Sequence, residues 1–309
     1  MKALIAMSGG VDSSVAAKLM IDKGYECVGC TMKLHSNTKD GVLKENSCCS
    51  TKDIEDAQSV CDKLSIPYSV SNFSSDFKEK IIDKFIASYE KGITPNPCID
   101  CNRYMKFEKL YQRGKELGCD YIVTGHYVRI KEENGQYFLL KALDETKDQS
   151  YVLYSMTQEQ LARTFFPLGE LRKTEVREIA EANGFINAQK PDSQDICFVP
   201  DGDYAKLIEE TTGRKPRSGN FISPDGKVLG KHRGIIHYTI GQRRGIGLSF
   251  PEPRYITDIS KKHNTVTIGK QEDLFSSVLQ ASAFNWISGT EPEAPIRCSA
   301  KIRYLHKEQ

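Results

Sequence analysis

The sequence predicts an α/β protein, with a parallel-sheet nucleotide-binding domain followed by a small β domain and a further C-terminal β segment. Three observations predict it. Short apolar runs at residues 3–7, 27–32 and 121–123 alternate with stretches whose apolar residues recur at helical spacing. The first run passes straight into a glycine turn and a helix, the βα entry of such sheets. After about Tyr204 the pattern changes to short β-like runs parted by Pro224-Asp225-Gly226 and Arg244-Gly245.

Each element follows from its residues. Residues 3–7 read as a buried strand. Ser8-Gly9-Gly10-Val11-Asp12-Ser13-Ser14 is a turn, and Val15, Ala16, Leu19 and Met20 share one face of the helix after it. Paired glycines let a ligand approach the backbone, and the Ser and Asp side chains can bond the first amides of the helix. Those amides, with the helix dipole, seat a phosphate. The spacing is neither G-x-x-x-x-G-K nor G-x-G-x-x-G. Residues 27–32 form a second strand. Ile54, Ala57, Cys61 and Leu64 mark a helix, and Tyr68, Val70 and Asn72 a third strand. Phe77, Ile81, Ile82, Phe85, Ile86 and Tyr89 predict one long helix, and Phe107, Leu110, Tyr111 and Leu117 another. The strand at 121–123 ends in Thr124-Gly125-His126. Ligands of parallel sheets lie beyond the carboxyl ends of the strands, which places Ser8 to Ser14, Met32 and Gly125 along one crevice. A hairpin over 126–142 turns at Asn134-Gly135. Thr174 can cap a helix that runs through Ala182 and stops at Gly184, and residues 191–199 read as irregular. The domains expected are 1–203, 204–269 and 270–309.

Bulk composition narrows the function classes. The chain has 309 residues, 39% hydrophobic and 27% charged, with net charge +2, so its overall field does not demand nucleic acid. Any RNA contact must come from local basic groups such as Arg163, Arg172-Lys173, Lys231-His232-Arg233 and Arg243-Arg244, which solvated surface explains equally well. The first apolar run breaks at Ser8, and no run approaches the length that spans a bilayer. The expectation is a cytosolic protein with no membrane partner. Its ten cysteines then argue for thiol chemistry or metal binding over structural disulfides.

Cys27, Cys30, Cys61, Cys119 and Cys298 sit in apolar patterns and read as core. Cys48-Cys49 falls in a polar loop without an assignable role. Cys98 and Cys101, in Asn96-Pro97-Cys98-Ile99-Asp100-Cys101-Asn102, and Cys197, in Asp195-Ile196-Cys197-Phe198, fall in polar loops, where function concentrates. A closed zinc site lacks its second C-x-x-C. A redox dithiol of the thioredoxin kind lacks the helix-opening context. A third use is to carry or release sulfur, since a persulfide sulfur is a strong nucleophile at neutral pH.

The loop at Ser8 resembles the S-G-G-x-D-S loop of the ATP pyrophosphatases. The chain as a whole resembles the tRNA-specific 2-thiouridylases, which place sulfur on C2 of the wobble uridine. The match includes Met7 to Ser14, Thr94-Pro95-Asn96-Pro97 with Cys101-Asn102, Thr124-Gly125-His126-Tyr127 and Lys147-Asp148-Gln149-Ser150-Tyr151. It continues in Asp192-Ser193-Gln194-Asp195-Ile196-Cys197-Phe198 and in His237-Tyr238-Thr239-Ile240-Gly241-Gln242-Arg243-Arg244-Gly245. The resemblance implies that Ala6, Met7, Ser8, Gly9, Gly10, Val11, Asp12 and Ser13 bind ATP, that Met32 meets the adenine and that Gly125 lines the pocket. It implies that Cys197 carries sulfur as a persulfide. Cys101 is the second thiol, freeing sulfide or forming a disulfide with Cys197. Asn96, Pro97 and Cys98 touch the target base, and His126, Lys147, Asp148, Gln149, Arg303 and Tyr304 touch tRNA.

The chain departs from the family pattern at two places. Cys98 stands where the family often has an Asp proposed for proton transfer, and a thiol is a poorer acid-base group unless its pKa is lowered. Cys98, Cys101 and Cys197 could instead hold a [4Fe-4S] cluster. Second, the chain stops at Gln309, so its barrel segment is expected to be short. The mechanism implied is attack of uridine O2 on the α-phosphorus of ATP, with Mg²⁺ and the loop amides stabilising pyrophosphate, then sulfur transfer to C2 with loss of AMP. Asp12 either aids the metal or caps the helix. The sulfur must come from a donor protein. Two rivals are an ATP pyrophosphatase acting on a small molecule, which leaves Cys101 and Cys197 without work, and a nucleotide-responsive RNA-binding module without turnover.

Overall fold

The computed structural model describes residues 1–35, 50–192, 196–199, 201–304 and 306–309. Cys48, Cys49 and the stretch 193–195 of the Cys197 motif lie outside the described residues. In chain order the elements begin β1 (Lys2–Ala6), α1 (Val11–Asp22), β2 (Glu26–Lys33), α2 (Thr51–Lys63), β3 (Tyr68–Asn72) and α3 (Ser74–Phe77). A π-helical turn, Lys78–Ile82, leads to α4 (Asp83–Tyr89). Next, α5 (Pro97–Asp100), a π-helical stretch Cys101–Lys109 and α6 (Leu110–Glu116) run on to β4 (Tyr121–Val123). The hairpin β5 (Arg129–Glu133) and β6 (Gln136–Leu140) precedes α7 (Gln158–Ala162), β7 (Thr164–Phe165) and α8 (Lys173–Ala182). Last come α9 (Tyr204–Thr212), β8 (Gly219–Ile222), β9 (Val228–His232), β10 (Tyr255–Ser260) and β11 (Thr265–Gly269).

Contacts divide the chain into two compact units. One is Met1–Lys78, Cys98–Phe198 and Ala283–Gln309, and the other is Glu79–Pro97 and Val199–Ser282. The first holds a five-stranded sheet in the order β3-β2-β1-β4-β7, and every pairing is parallel. The chain winds outward from β1 through β2 to β3, then restarts on the other side with β4, so the switch point lies between β1 and β4. Ligand crevices form at that point, off the carboxyl ends of the strands. Alternation along β1 sends Ala3 and Ile5 into a core with Val15, Ala16, Val60 and Val176, and Leu4 into another with Val28, Leu110 and Ile122. Helices thus cover both faces, the fold class expected. In the second unit the sheet runs β10-β11-β8-β9 over Phe221, Tyr238, Ile256, Val266 and Ile268.

Several local expectations are corrected. The apolar spacing from Phe77 to Tyr89 reads as one α-helix, but a π turn at Lys78–Ile82 interrupts it. Pro97 opens a helix, so Cys98 and Cys101 lie on its first turns and not on a loop. Proline suits a first helical position because its missing N–H has no intrahelical partner to lose. The last helix of the first unit starts at Lys173 with Arg172 as cap, two residues before the expected Thr174; the Arg172 amide donates to Glu175 Oε2 at 2.6 Å. Cys298 is exposed, not core. Residues 270–309 carry a short 3₁₀ turn, Glu272–Leu274, and among the described residues no strand. No described helix is long and apolar enough to cross a membrane.

Candidate active site

The loop after β1 is built by its glycines. Gly9 adopts φ +73°, and a Cβ there would stand 2.3 Å from the carbonyl oxygen of Asp53. Gly125, at the end of β4, abuts the next turn: a Cβ would lie 2.8 Å from the Asp12 carbonyl carbon. The switch point is therefore closed by backbone against backbone, with no side chain between. Of the capping expected of Ser and Asp, Ser8 Oγ accepts from the Gly10 amide at 3.4 Å; Gly10, the cap residue of α1, has no side chain to add another. Ser13 and Ser14 hydroxyls donate instead to the Gly10 carbonyl, at 2.9 and 3.1 Å. The amides at the head of α1 stay available to an anion.

Asp12 is not a helix cap. Its Oδ1 accepts from the Tyr127 hydroxyl at 2.8 Å and from Lys173 Nζ at 2.7 Å. Lys173 Nζ also lies 2.7 Å from Asp192 Oδ1, while Lys147 Nζ donates to Asp192 Oδ2 at 2.8 Å. Arg177 reaches the same Asp192 oxygen at 3.4 Å. Burial opposes the charge on Asp192, but the bonds from Lys147 and Lys173 outweigh it and hold the carboxyl below the usual range. The bond to Asp192 holds the Lys147 ammonium above its own. Burial, then the negative charge of Asp12, push the Tyr127 hydroxyl far up, so it stays a donor.

A second brace comes from the segment that leads toward Cys197. Asn187 Nδ2 donates to the Gly9 carbonyl at 3.0 Å and to Ser14 Oγ at 2.9 Å. Lys190 Nζ donates to the same carbonyl at 3.1 Å, to Asp53 Oδ1 at 2.7 Å and to Asp56 Oδ2 at 2.6 Å. Burial works against the Lys190 charge, yet its two carboxylate partners win and raise its pKa. Removing one member of a buried ion group costs about 3–5 kcal/mol; these side chains keep some solvent, so Lys190→Met should destabilise by about 2 kcal/mol. Thermal unfolding checks it, and an unchanged midpoint would mean the brace is idle.

The expected site residues separate into groups. Ala6, Met7, Ser8, Gly9, Gly10, Val11, Asp12, Ser13 and Gly125 meet at the β1–β4 switch point. Met32, near the end of β2, packs half-buried against Val28, Cys30 and Leu110. Lys147, Asp148 and Gln149 brace the structure: Asp148 accepts from the Ala142 amide at 3.0 Å and Gln149 Oε1 from the Tyr127 amide at 2.9 Å. The Tyr151 hydroxyl donates to the Ile302 carbonyl at 3.1 Å, and its ring lies 6.4 Å from that of Tyr304. Arg303 and Tyr304, both exposed, thus share a patch with the 147–151 segment. His126 is buried, its Nδ1 2.7 Å from Thr124 Oγ1 and its Nε2 3.2 Å from Lys106 Nζ. Burial and then Lys106 hold its pKa well below the usual value. The direct tRNA contact expected of this ring is not open to it in this conformation.

The thiol-bearing segments approach the same edge. Phe198, beside half-buried Cys197, packs edge-on against Phe77 with ring centroids 5.7 Å apart, and Phe77 stacks on His35 just past β2. The stretch Cys101–Lys109 packs on α3 as well, with Lys109 Nζ 2.7 Å from Asp76. Its Lys106 meets His126, the residue after Gly125. Asn96 is half-buried, Pro97 buried and Cys98 exposed. Among the described residues, which include Cys98, Cys101 and Cys197, no three His, Cys, Asp or Glu side chains are grouped to hold a metal. This placement does not favour the [4Fe-4S] alternative. Sequence reasoning missed Asp53, Asp56, Asn187 and Lys190. The capping box of α2, in which Ser50 Oγ accepts from the Asp53 amide and Asp53 from the Ser50 amide, was a signal for Asp53 alone.

Residues 1–201 match the family model described as tRNA methyl transferase HUP domain, and residues 206–270 the model described as tRNA methyl transferase PRC-barrel domain. The chain is 48% identical over 308 residues to the tRNA-specific 2-thiouridylase MnmA of Clostridioides difficile (strain 630), covering 99% of this chain and 85% of that protein. It is 47% identical over 306 residues to the protein of the same name from Clostridium botulinum (strain Alaska E43 / Type E3), with the same coverage. Among solved structures, a 4-thiouridine synthetase–RNA complex with bound ATP aligns at TM-score 0.41 and 18% identity, over 69% of this chain and 50% of that one. That likeness is too distant to bear on chemistry.

Proposed function

Because the chain belongs to the tRNA-specific 2-thiouridylase family, we propose how its residues divide the work of the reaction. The protein is a tRNA-uridine 2-sulfurtransferase: ATP activates the C2 oxygen of the wobble uridine, and sulfur replaces it. Ala6 to Ser13 hold the nucleotide, with the amides at the head of α1 on its phosphates; Met32 faces the adenine and Gly125 lines the pocket. Magnesium enters with the nucleotide as part of the substrate, and the carboxylate oxygen that suits a hard cation there is that of Asp12. Asn96, Pro97 and Cys98 receive the base flipped from the anticodon loop, a modest cost for a single-stranded nucleotide. Lys147 to Gln149, Arg303 and Tyr304 form one tRNA-facing patch, and His126 serves it by fixing Lys106.

Uridine O2 attacks the α-phosphorus, the bond to the bridging oxygen breaks, pyrophosphate leaves with the electron pair, and the base N3 proton passes to solvent. Cys197 carries the sulfur as a persulfide charged by a donor protein. That sulfur bonds to C2 as AMP departs. The thiolate of Cys101 then attacks Cys197 Sγ, the bond between that sulfur and the one now on C2 breaks with its electron pair going to the transferred sulfur, the 2-thiouridine is freed and N3 regains a proton from solvent; a cellular dithiol reduces the Cys101–Cys197 disulfide left behind.

The observation that supports this reading is the continuity of one segment. Asn187 and Lys190 hold the Gly9 carbonyl, and Asp192 reaches Asp12 through Lys173. Cys197 follows five residues after Asp192, so even a fully extended chain keeps their Cα atoms within roughly 18 Å. Pyrophosphate release should depend on unmodified tRNA, and 2-thiouridine should appear once a persulfide donor is supplied. Release at the same rate with and without tRNA would place the activity on a small molecule instead.

A further inference from the structure

We infer that Lys173 is a catalytic residue of the adenylation step, leaving Asp12 for the phosphates of bound ATP and neutralising the charge that develops as pyrophosphate departs. The inference rests on the reading above.

The geometry leads to it directly. Lys173 opens α8, and its side chain is 11% exposed where that of Asp12 is 31%. Its ammonium stands 2.7 Å from a carboxylate on the first turn of α1, at the mouth of the glycine loop. An ammonium has three protons. Asp12 and Asp192 take two of them, each at 2.7 Å.

A structural tether between α1 and α8 would need no more than the bond to Asp12. The surrounding groups go further, because they make Lys173 replaceable on both sides. Asp192 keeps Lys147 at 2.8 Å and Arg177 at 3.4 Å if Lys173 moves away. Asp12 keeps the Tyr127 hydroxyl at 2.8 Å and offers its exposed side to the cation that accompanies ATP. Neither carboxylate is stranded, so the lysine can change partner without the cost of an unpaired buried charge. The arriving nucleotide is a polyanion; Lys190, which also reaches the loop, is held by Asp53 and Asp56, whereas Lys173 is a cation beside the loop that can be released. An ammonium on a flexible stem, held in a site with little water, is suited to charge that grows only in the transition state.

In the step itself, the O2–Pα bond forms and the Pα–O bridge breaks. The electron pair leaves on pyrophosphate, and Lys173 keeps its proton throughout. Its contribution is electrostatic, so a neutral side chain able to donate the same hydrogen bonds cannot replace it.

The test uses the full chain with MgATP and unmodified tRNA, reading pyrophosphate release. Lys173→Gln keeps a hydrogen-bond donor at this position but removes the charge. It should lower kcat for release at least thirtyfold while KM for ATP stays within fivefold and thermal unfolding is near that of wild type. A smaller fall in kcat, or a loss confined to KM, overturns the inference and leaves a tether. Lys173→Met is read the same way, so a folding failure in one variant leaves the other. The wild type, run alongside, keeps the two ideas apart. If it releases no tRNA-dependent pyrophosphate, the functional reading fails; if wild type and variant release it alike, only the role of Lys173 fails.

Discussion

Cys197→Ser should abolish formation of 2-thiouridine, by at least about a thousandfold, while tRNA-dependent release of pyrophosphate continues. The substitution exchanges sulfur for oxygen at a half-buried position, and the fold around it is set by its neighbour: Phe198 is 5% exposed and rests edge-on against Phe77. The segment should hold its place, and the nucleotide loop, braced by Asn187 and Lys190, should be untouched. What disappears is the thiol assigned to carry the second sulfur, because a hydroxyl forms no persulfide. The adenylated uridine then accumulates or hydrolyses. Cys101→Ser should give the same division of activities. Mass spectrometry of digested tRNA beside a pyrophosphate assay reads both halves, and thiolation by Cys197→Ser at the wild-type rate would remove Cys197 from the sulfur route.

Much of the first unit was legible because its rules are local. The run at 3–7, the paired glycines and the helical spacing after them dictate strand, turn and helix, and parallel order follows from repeated βα units. Gly125 could be placed opposite Asp12 from topology alone, since both follow strands that end at the same edge. The site braces could not be read that way. Lys190 meets Asp53 and Asp56 across 137 and 134 residues, and nothing periodic links them. Their spacing is a product of tertiary packing, as is the chain of contacts from Asp12 through Lys173 to Asp192.

Other omissions had a local signal that was not used. Asp203, whose side chain accepts from the Lys206 amide at 3.0 Å, and Gly213, in the left-handed conformation, bracket α9 as cap and stop. The π turn at Lys78–Ile82 is a different case. An inserted residue shifts the helical phase without altering composition, so apolar spacing alone reports an unbroken helix. The start of α5 was hidden by Pro97, because proline breaks a helix interior yet suits the first helical position. Moving Cys98 and Cys101 from a loop onto a helical turn changes their setting: residues three apart on a helix lie on one face.

The two glycines of the loop are not equivalent, and their alanine variants should separate by a wide margin. Gly9→Ala forces a side chain into a left-handed φ of +73°, and its Cβ would stand 2.3 Å from the Asp53 carbonyl oxygen, a backbone atom fixed within the first turn of α2. The conformation alone costs about 1–2 kcal/mol. The overlap cannot be relieved by a side-chain rotation, so either α2 or the loop must move. Moving α2 would pull Asp53 and Asp56 from Lys190; moving the loop would displace the Gly9 carbonyl from both Asn187 and Lys190. A total loss of about 3 kcal/mol or more follows, together with ATP affinity. Gly10→Ala meets nothing closer than Ser8 Oγ at 3.4 Å, and its φ of −92° and ψ of 162° suit any residue. Calorimetric titration with ATP and thermal unfolding of the two variants should show one crippled loop and one near wild type. Equal behaviour would mean that the close approach of Gly9 to α2 does not shape the nucleotide site.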